Sequence, residues 1–182
     1  MESKVASTDK SLYFSDRFAI SCGTVSIDSK RSKILLIRLR KTGEVFLPKG
    51  RKDLGETFEE AATRETFEET GIPVQLLPVE IKTLATSPPS SSTTGAEHTG
   101  AITEPIAVAQ RVTDGKLKII FWFVASGDST AVRQEGTQQE NEEFDTLWVH
   151  FDHVESTLSF DDDRGVACAG IAAVRKTLVP GV

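Results

Sequence analysis

Glu56, Arg64, Glu65, Glu68 and Glu69 fall in one short stretch of the chain, and their types and spacing suit metal-assisted chemistry on an anionic substrate. On a helix that advances about 100° per residue, Glu65, Glu68 and Glu69 share one arc. Phe58, Ala61 and Ala62 lie on the same arc and are the residues expected to face the protein, so the carboxylates point inward or along a cleft wall. On an exposed helix each repulsive pair costs only about a few tenths of a kcal/mol, whereas partial burial of unpaired carboxylates costs several. A cation is therefore expected among them. Mg²⁺ or Mn²⁺ fits, because these oxygen-seeking ions use a few carboxylates plus substrate phosphates, and no His or Cys lies in this stretch. Arg64 is expected to fork onto a neighbouring carboxylate such as Glu68 and hold it in a ligating rotamer.

A helix must carry these groups, and its limits are written around them. Thr57 and Glu60 form a capping box at its start, and Gly71 followed by Pro73 supplies its stop. Residues 49–56, just before it, read as a glycine-containing loop. Upstream, residues 18–27 read as a strand, and residues 33–40 as a mostly buried, β-branched strand whose basic end emerges at Arg38 and Arg40. Residues 44–48 form a short connecting segment. Downstream, residues 74–84 look extended, and residues 106–112 and 117–125 flank the turn signal Asp114-Gly115 of a β-hairpin. An acidic, Gln-rich loop at 133–145 leads to a strand at 146–151 and an Ala-rich closing helix at 162–178. Strands interspersed with two helices, one hairpin among them, predict a mixed sheet covered by helices, an α/β or α+β fold.

At 182 residues the chain has room for one ordinary domain. Residues 1–16 are expected to be a flexible polar leader, 17–182 the domain, and about 86–104 a Ser/Pro/Thr-rich insertion. With 21 Lys and Arg against 27 Asp and Glu, the net charge of -6 argues against broad attraction to nucleic acid or anionic membrane. Cys22 and Cys168 are too few and too far apart for a disulfide scaffold or a zinc site. The N-terminal residues lack a signal peptide's apolar core, and the longest apolar run, 119–125, is too short to cross a bilayer. A cytoplasmic or nucleocytoplasmic location is the resulting expectation.

Gly50-Arg-Lys-Asp-Leu-Gly-Glu56, followed after seven residues by Arg64-Glu-Thr-Phe-Glu-Glu-Thr-Gly-Ile72, matches the pattern G-x5-E-x7-R-E-U-x-E-E-x-G-U, where U is aliphatic. The one departure is Thr66 at an aliphatic position, which concerns packing of the helix and leaves every carboxylate in place. In these residues the chain resembles the Nudix hydrolase family. That resemblance implies a loop-helix-loop motif in an α/β/α sandwich with a mixed sheet, and hydrolysis of a phosphoanhydride bond with a divalent metal. It implies Glu65 and Glu69, with Glu68, as metal ligands, and Gly50 as a carbonyl donor to the same ion. Glu56 stabilises the helix and Arg64 organises the cluster, while Glu65 and Glu68 also stand as catalytic candidates. Nudix enzymes often draw a further acid from a late loop, and Glu142 or Glu143 before Trp148 resembles that arrangement, with Glu143 the first choice.

The entry Phe46-Leu-Pro-Lys-Gly50 is similar to that of dinucleoside polyphosphate hydrolases and of some diphosphoinositol polyphosphate phosphohydrolases. Lys49, Arg51 and Lys52 place cations at the mouth of the metal site, where further phosphates need charge compensation. Arg38 and Arg40 are expected to add to that patch. A dinucleotide would need a stacking surface, for which Phe121, Trp122 and Phe123 are the candidates. Strand alternation keeps them from all facing the cleft, and Trp122 is assigned no binding role. An inositol substrate would need more basic groups and no such surface. A small-molecule polyphosphate is the expected partner, first a dinucleoside polyphosphate, alternatively a diphosphoinositol polyphosphate. Retention of Glu65, Glu68 and Glu69 disfavours a noncatalytic sensing module. No extended basic tract supports RNA-end processing, so neither nucleic acid nor membrane is expected as a partner.

Overall fold

The computed structural model describes residues 11–86, 100–140 and 142–178. Residues 1–10 of the expected leader and 87–99 of the expected insertion lie outside them.

Among the described residues one mixed sheet of eight strands forms the centre. Strands β1 (Phe18–Asp28) and β7 (Lys116–Ser126) run parallel through its middle, in register from Phe18 opposite Leu117 to Ile27 opposite Ser126. On one side β2 (Lys33–Leu39) joins β1, and β8 (Phe144–His150) completes that edge. On the other side β6 (Ala107–Thr113) forms an antiparallel hairpin with β7. The hairpin turn has Asp114 and Gly115 both at positive φ, 51° and 69°, as a type I′ turn requires. Short strands β3 (Val45–Phe46), β4 (Lys49–Arg51) and β5 (Gln75–Leu76) pair with β2, β1 and β7.

One of these elements corrects the sequence reading. Residues 49–51, expected as loop, form β4, with Gly23 opposite Lys49, Cys22 opposite Gly50 and Ser21 opposite Arg51. Within the expected insertion, Ile102 exchanges both backbone hydrogen bonds with Val79, at 3.0 Å each, which ties its C-terminal end to the domain. Most of residues 74–84, expected to be extended, make no ladder beyond β5 and that bridge.

Helix α1 (Phe58–Thr70) lies on one face of the sheet, and the short helix α2 (Val154–Thr157) precedes α3 (Asp161–Leu178), which packs on the other. Alternation along β1 sorts its side chains: Val25 and Ile27 join the core beneath α3 with Ile34, Leu36, Ile120, Trp122 and Val124, while Cys22 packs with Ala61, Ala62 and Phe123 beneath α1. Gly170 lets α3 approach closely, since a Cβ there would sit 2.6 Å from the side chain of Val25. Thr66, the odd residue of the box, is fully buried and its hydroxyl meets that of Thr24 at 2.7 Å, which in turn meets Ser26 at 2.6 Å. A polar partner on β1 thus accounts for a threonine where an aliphatic residue is usual, since a buried hydroxyl must be paired.

Candidate active site

Helix α1 begins with the expected capping box: Thr57 Oγ1 accepts from the Glu60 backbone N–H, and the Glu60 carboxylate accepts from that of Thr57 at 2.8 Å. It ends at Gly71 in the left-handed region, φ 70°. Between these limits Ala61, Ala62, Glu65, Thr66, Glu69 and Thr70 are buried, as the arc predicts, and Glu68 stands at the rim with its side chain 27% exposed.

Strand β4 is the counterpart of the helix. The Glu65 carboxylate lies so close to Gly50 that a Cβ there would fall 1.7 Å from Oε2, so a side chain at this position would have to displace the carboxylate. Glu69 accepts a 2.7 Å hydrogen bond from the Lys49 backbone N–H. Gly23 allows the close approach of β4 to β1, because a Cβ at that position would meet the Pro48 carbonyl oxygen at 2.5 Å and the Trp122 ring at 2.6 Å.

Arg64 organises the anions, chiefly through a partner other than the Glu68 expected for it. Its Nε and Nη2 fork onto Glu56 at 2.7 and 3.0 Å, its Nη1 reaches Glu65 at 2.8 Å and Glu68 at 3.2 Å, and Nη2 also donates to the Arg51 carbonyl at 3.0 Å. The Arg64 hydrogen bond holds Glu56 below the usual carboxylate range. Burial acts the opposite way on the inner pair. It raises Glu65, against the pull of Arg64, and pushes Glu69 up to about 8 despite the charge and backbone N–H of Lys49.

Two carboxylates held in a low-dielectric wall beside a glycine backbone are the donor set of a site for a hard cation. Among the described residues no three His, Cys, Asp or Glu side chains gather in a geometry that would hold an ion by themselves. Mg²⁺ does not demand that, since it commonly uses one or two carboxylates and completes its shell with water and substrate oxygens. The residues present therefore fit such an ion.

The late loop supplies Glu142. Its half-buried carboxylate is among the charges that raise both Glu65 and Glu69. Glu143, the expected choice, is exposed; its backbone carbonyl accepts from the Arg40 N–H at 2.9 Å and its charge acts on Arg40. The loop itself is docked on the helix end, with Thr137 donating to the Glu68 carbonyl and Gln138 to the Glu69 carbonyl, each at 2.8 Å.

The expected cations divide. Lys49 extends over the Phe46 ring, 4.9 Å from its centroid. Arg51 is exposed. Lys52 is spent locally, its Nζ donating to the Asp53 carbonyl at 2.9 Å. Arg38 and Arg40 both turn onto Asp145 of β8, at 2.7 and 2.8 Å, and no ion pair among the described residues joins them to the glutamates. Two cations that sequence reasoning missed, Lys118 on β7 and Arg111 on β6, lie opposite each other in the hairpin. Trp122 and Phe123 are buried in the two cores, and Phe121 packs on Phe58 with ring centroids 4.7 Å apart.

No helix among the described residues is long and apolar enough to cross a membrane. The fold is similar to that of solved Nudix hydrolases. An Ap4A hydrolase of C. elegans, in a binary complex, aligns with a TM-score of 0.59 at 16% identity, over 86% of this chain and 98% of that one. A NUDIX-family hydrolase of Clostridium perfringens gives 0.56 at 20% identity, over 89% and 98%. A NUDIX hydrolase of Nitrosomonas europaea gives 0.56 at 15% identity, over 85% and 88%. The family model of the NUDIX domain matches residues 17–167. With the whole box in place on its loop and helix, the chain belongs to the Nudix family and is a pyrophosphohydrolase.

Proposed function

We propose that this enzyme hydrolyses a phosphoanhydride bond in a small substrate that carries further phosphates, with Mg²⁺ or Mn²⁺ held by Glu65, Glu69 and the Gly50 carbonyl, and Glu68 at the rim. The observation that carries this reading is the pair of buried carboxylates, 4% and 3% exposed, set against the β4 backbone. Nudix hydrolases generally use divalent metals. Such an ion, when bound, neutralises charge on the bridging diphosphate and lowers the cost of making hydroxide from water. Arg64 keeps Glu65 and Glu68 from swinging into solvent. A rim carboxylate, Glu68 or Glu142, accepts the proton of the attacking water as its oxygen bonds to phosphorus. The bridging P–O bond breaks, its electrons stay on the leaving phosphate oxygen, and two phosphorylated fragments depart.

A dinucleoside polyphosphate is the first substrate reading, on the Pro48-Lys49-Gly50 entry. A diphosphoinositol polyphosphate is the second, and a specific observation favours it: Phe121, Trp122 and Phe123 are all engaged in packing, which leaves none of the three for stacking on a base. Chromatographic product analysis with Mg²⁺ or Mn²⁺ decides between them, using diadenosine tetraphosphate, diphosphoinositol pentakisphosphate, ADP-ribose and capped RNA in parallel. Conversion of the first to ATP and AMP establishes the dinucleotide reading, and preference for the second establishes the inositol one. Inactivity on all four overturns both substrate readings.

A further inference from the structure

The register of the sheet brings together residues that are far apart in the chain. Opposite one another across β4, β1, β7 and β6 stand Lys49, Gly23, Trp122 and Ala107, and in the next row on the same face Arg51, Ser21, Ile120 and Ala109. The third row is Ala19, Lys118 and Arg111. Directly opposed residues point to the same side of a pleated sheet, and Ile120 and Trp122 mark this side as the one that packs beneath α3, away from α1. Its strand positions at 19, 21, 23, 107 and 109 are Ala, Ser, Gly, Ala and Ala, and Ser21 is buried with Ile120 and Trp122 of the same face. Long cations stand around them.

These cations are partly compensated: the charges of Lys49 and Arg111 act on the buried Asp163, and that of Lys49 also on Glu69. Arg111 has a carboxylate, Asp162 at 2.6 Å, and lies over the Phe160 ring at 5.8 Å. Lys118 is half-buried, and burial together with the charges of Lys49, Arg111 and Arg51 lowers its ammonium below the ordinary lysine value, against the opposing pull of Glu69. Like charges gathered on a partly desolvated surface of an acidic protein disfavour the free state, and an anion with several negative groups relieves them together. The two aromatic rings that carry Lys49 and Arg111, Phe46 and Phe160, lie 6.5 Å apart and fix one end of the group. The same residue links it to the glutamates, since the Lys49 backbone N–H binds Glu69 while its side chain belongs to the opposite face.

We propose that this face carries a polyphosphate subsite, in which Lys118 and Arg111 join Lys49 and Arg51 to hold phosphate groups beyond the bond that is cut. The position of the cut bond rests on the hydrolase reading; the subsite does not. The ligand chemistry is a set of closely spaced phosphates, either along a chain or around a ring.

The test is titration calorimetry of the full chain in EDTA, with inorganic tripolyphosphate as the linear probe and inositol hexakisphosphate as the ring probe. The wild type is expected to bind at least one of them, with affinity that falls as salt is raised, and the tighter probe identifies the source. Lys118→Met is expected to weaken that binding by about tenfold or more, and Lys118→Arg to restore most of it. Thermal melting of each variant guards against a folding defect, and Arg111→Gln, which should also weaken binding, serves if Lys118→Met melts early. Failure of the wild type to bind either probe, or equal binding by well-folded Lys118→Met and Arg111→Gln, overturns the subsite. Because turnover is not the readout, a wild type that binds a probe yet cleaves none of the four candidate substrates overturns the substrate readings and supports the subsite.

Discussion

Lys49 and Gly50 are neighbours in the chain and belong to opposite sides of the sheet. Gly50 faces helix α1, where Glu65, Glu68 and Glu69 gather negative charge; the Lys49 side chain belongs to the face beneath α3, where Arg51, Lys118 and Arg111 gather positive charge. The pleat of a three-residue strand separates the two. Each cluster crowds like charges around few opposite ones, Arg64 on the first side and Asp162 with Asp163 on the second, a local conflict of the kind that functional sites tolerate. On the proposed reading the anionic side holds an ion and the cut, and the cationic side the remainder of the substrate.

The strongest way to break this division is on the anionic side. Glu69→Gln removes a charge from the inner pair and keeps its shape, and turnover should fall by about a thousandfold with the melting temperature unchanged or raised. Near-normal rates at saturating Mg²⁺ would take Glu69 out of the ion site. Next in size is the late loop: Glu142→Gln should lower kcat by about a hundredfold, while Glu143→Gln leaves it close to wild type. The reverse ranking would show that the loop rearranges to present Glu143 when substrate is bound.

The opposite face gives a test in stability. Asp163, near the start of α3, is 1% exposed; its Oδ2 accepts from the Leu47 N–H and its Oδ1 has no partner among the described residues. Burial, with Asp162 beside it, raises its carboxyl from 3.8 to about 6. The folded state therefore holds this proton more tightly than the unfolded state. The group's unfavourable contribution sets in as pH rises through about 4 and is complete above about 6. Asp163→Asn should stabilise the protein by about 1–2 kcal/mol at pH 7 and by almost nothing at about pH 3.5. Chemical denaturation at the two pH values checks it; an equal effect at both would mean that packing, not charge, governs the site. The smallest effect belongs to Thr66→Val. Thr24 keeps its bond to Ser26, so the loss should be about 1 kcal/mol with activity retained. A fall in activity with little loss of stability would show that this hydroxyl pair positions the glutamates.

The features legible in the sequence were those that local chemistry determines. The capping box, the left-handed glycine at 71 and the Asp114-Gly115 turn each act within a few residues, and all three are where the sequence places them. The inward arc of α1 came from helical period alone. What the sequence does not show is non-local. Lys49-Gly-Arg51 has the composition of a loop and becomes a strand because residues 21–23 of β1 offer an edge. Arg38 and Arg40 looked available until folding brought Asp145 to them from more than a hundred positions away. Lys118 and Arg111 enter the picture only through the hairpin register and the parallel pairing of β1 with β7. Glu142 and Glu143 sit in a loop, where no period assigns adjacent residues to sides.

Position 23 carries the consequence of having no side chain at all. Every single-base change of a glycine codon that installs another amino acid adds a Cβ, and here that carbon would push Pro48 and Lys49 off β1 and press on the Trp122 ring. The displaced backbone is the one that meets Glu65 and Glu69, and the displaced side chain is that of Lys49. A single inherited change at Gly23 would therefore disturb the backbone beside the glutamates and the Lys49 side chain at once.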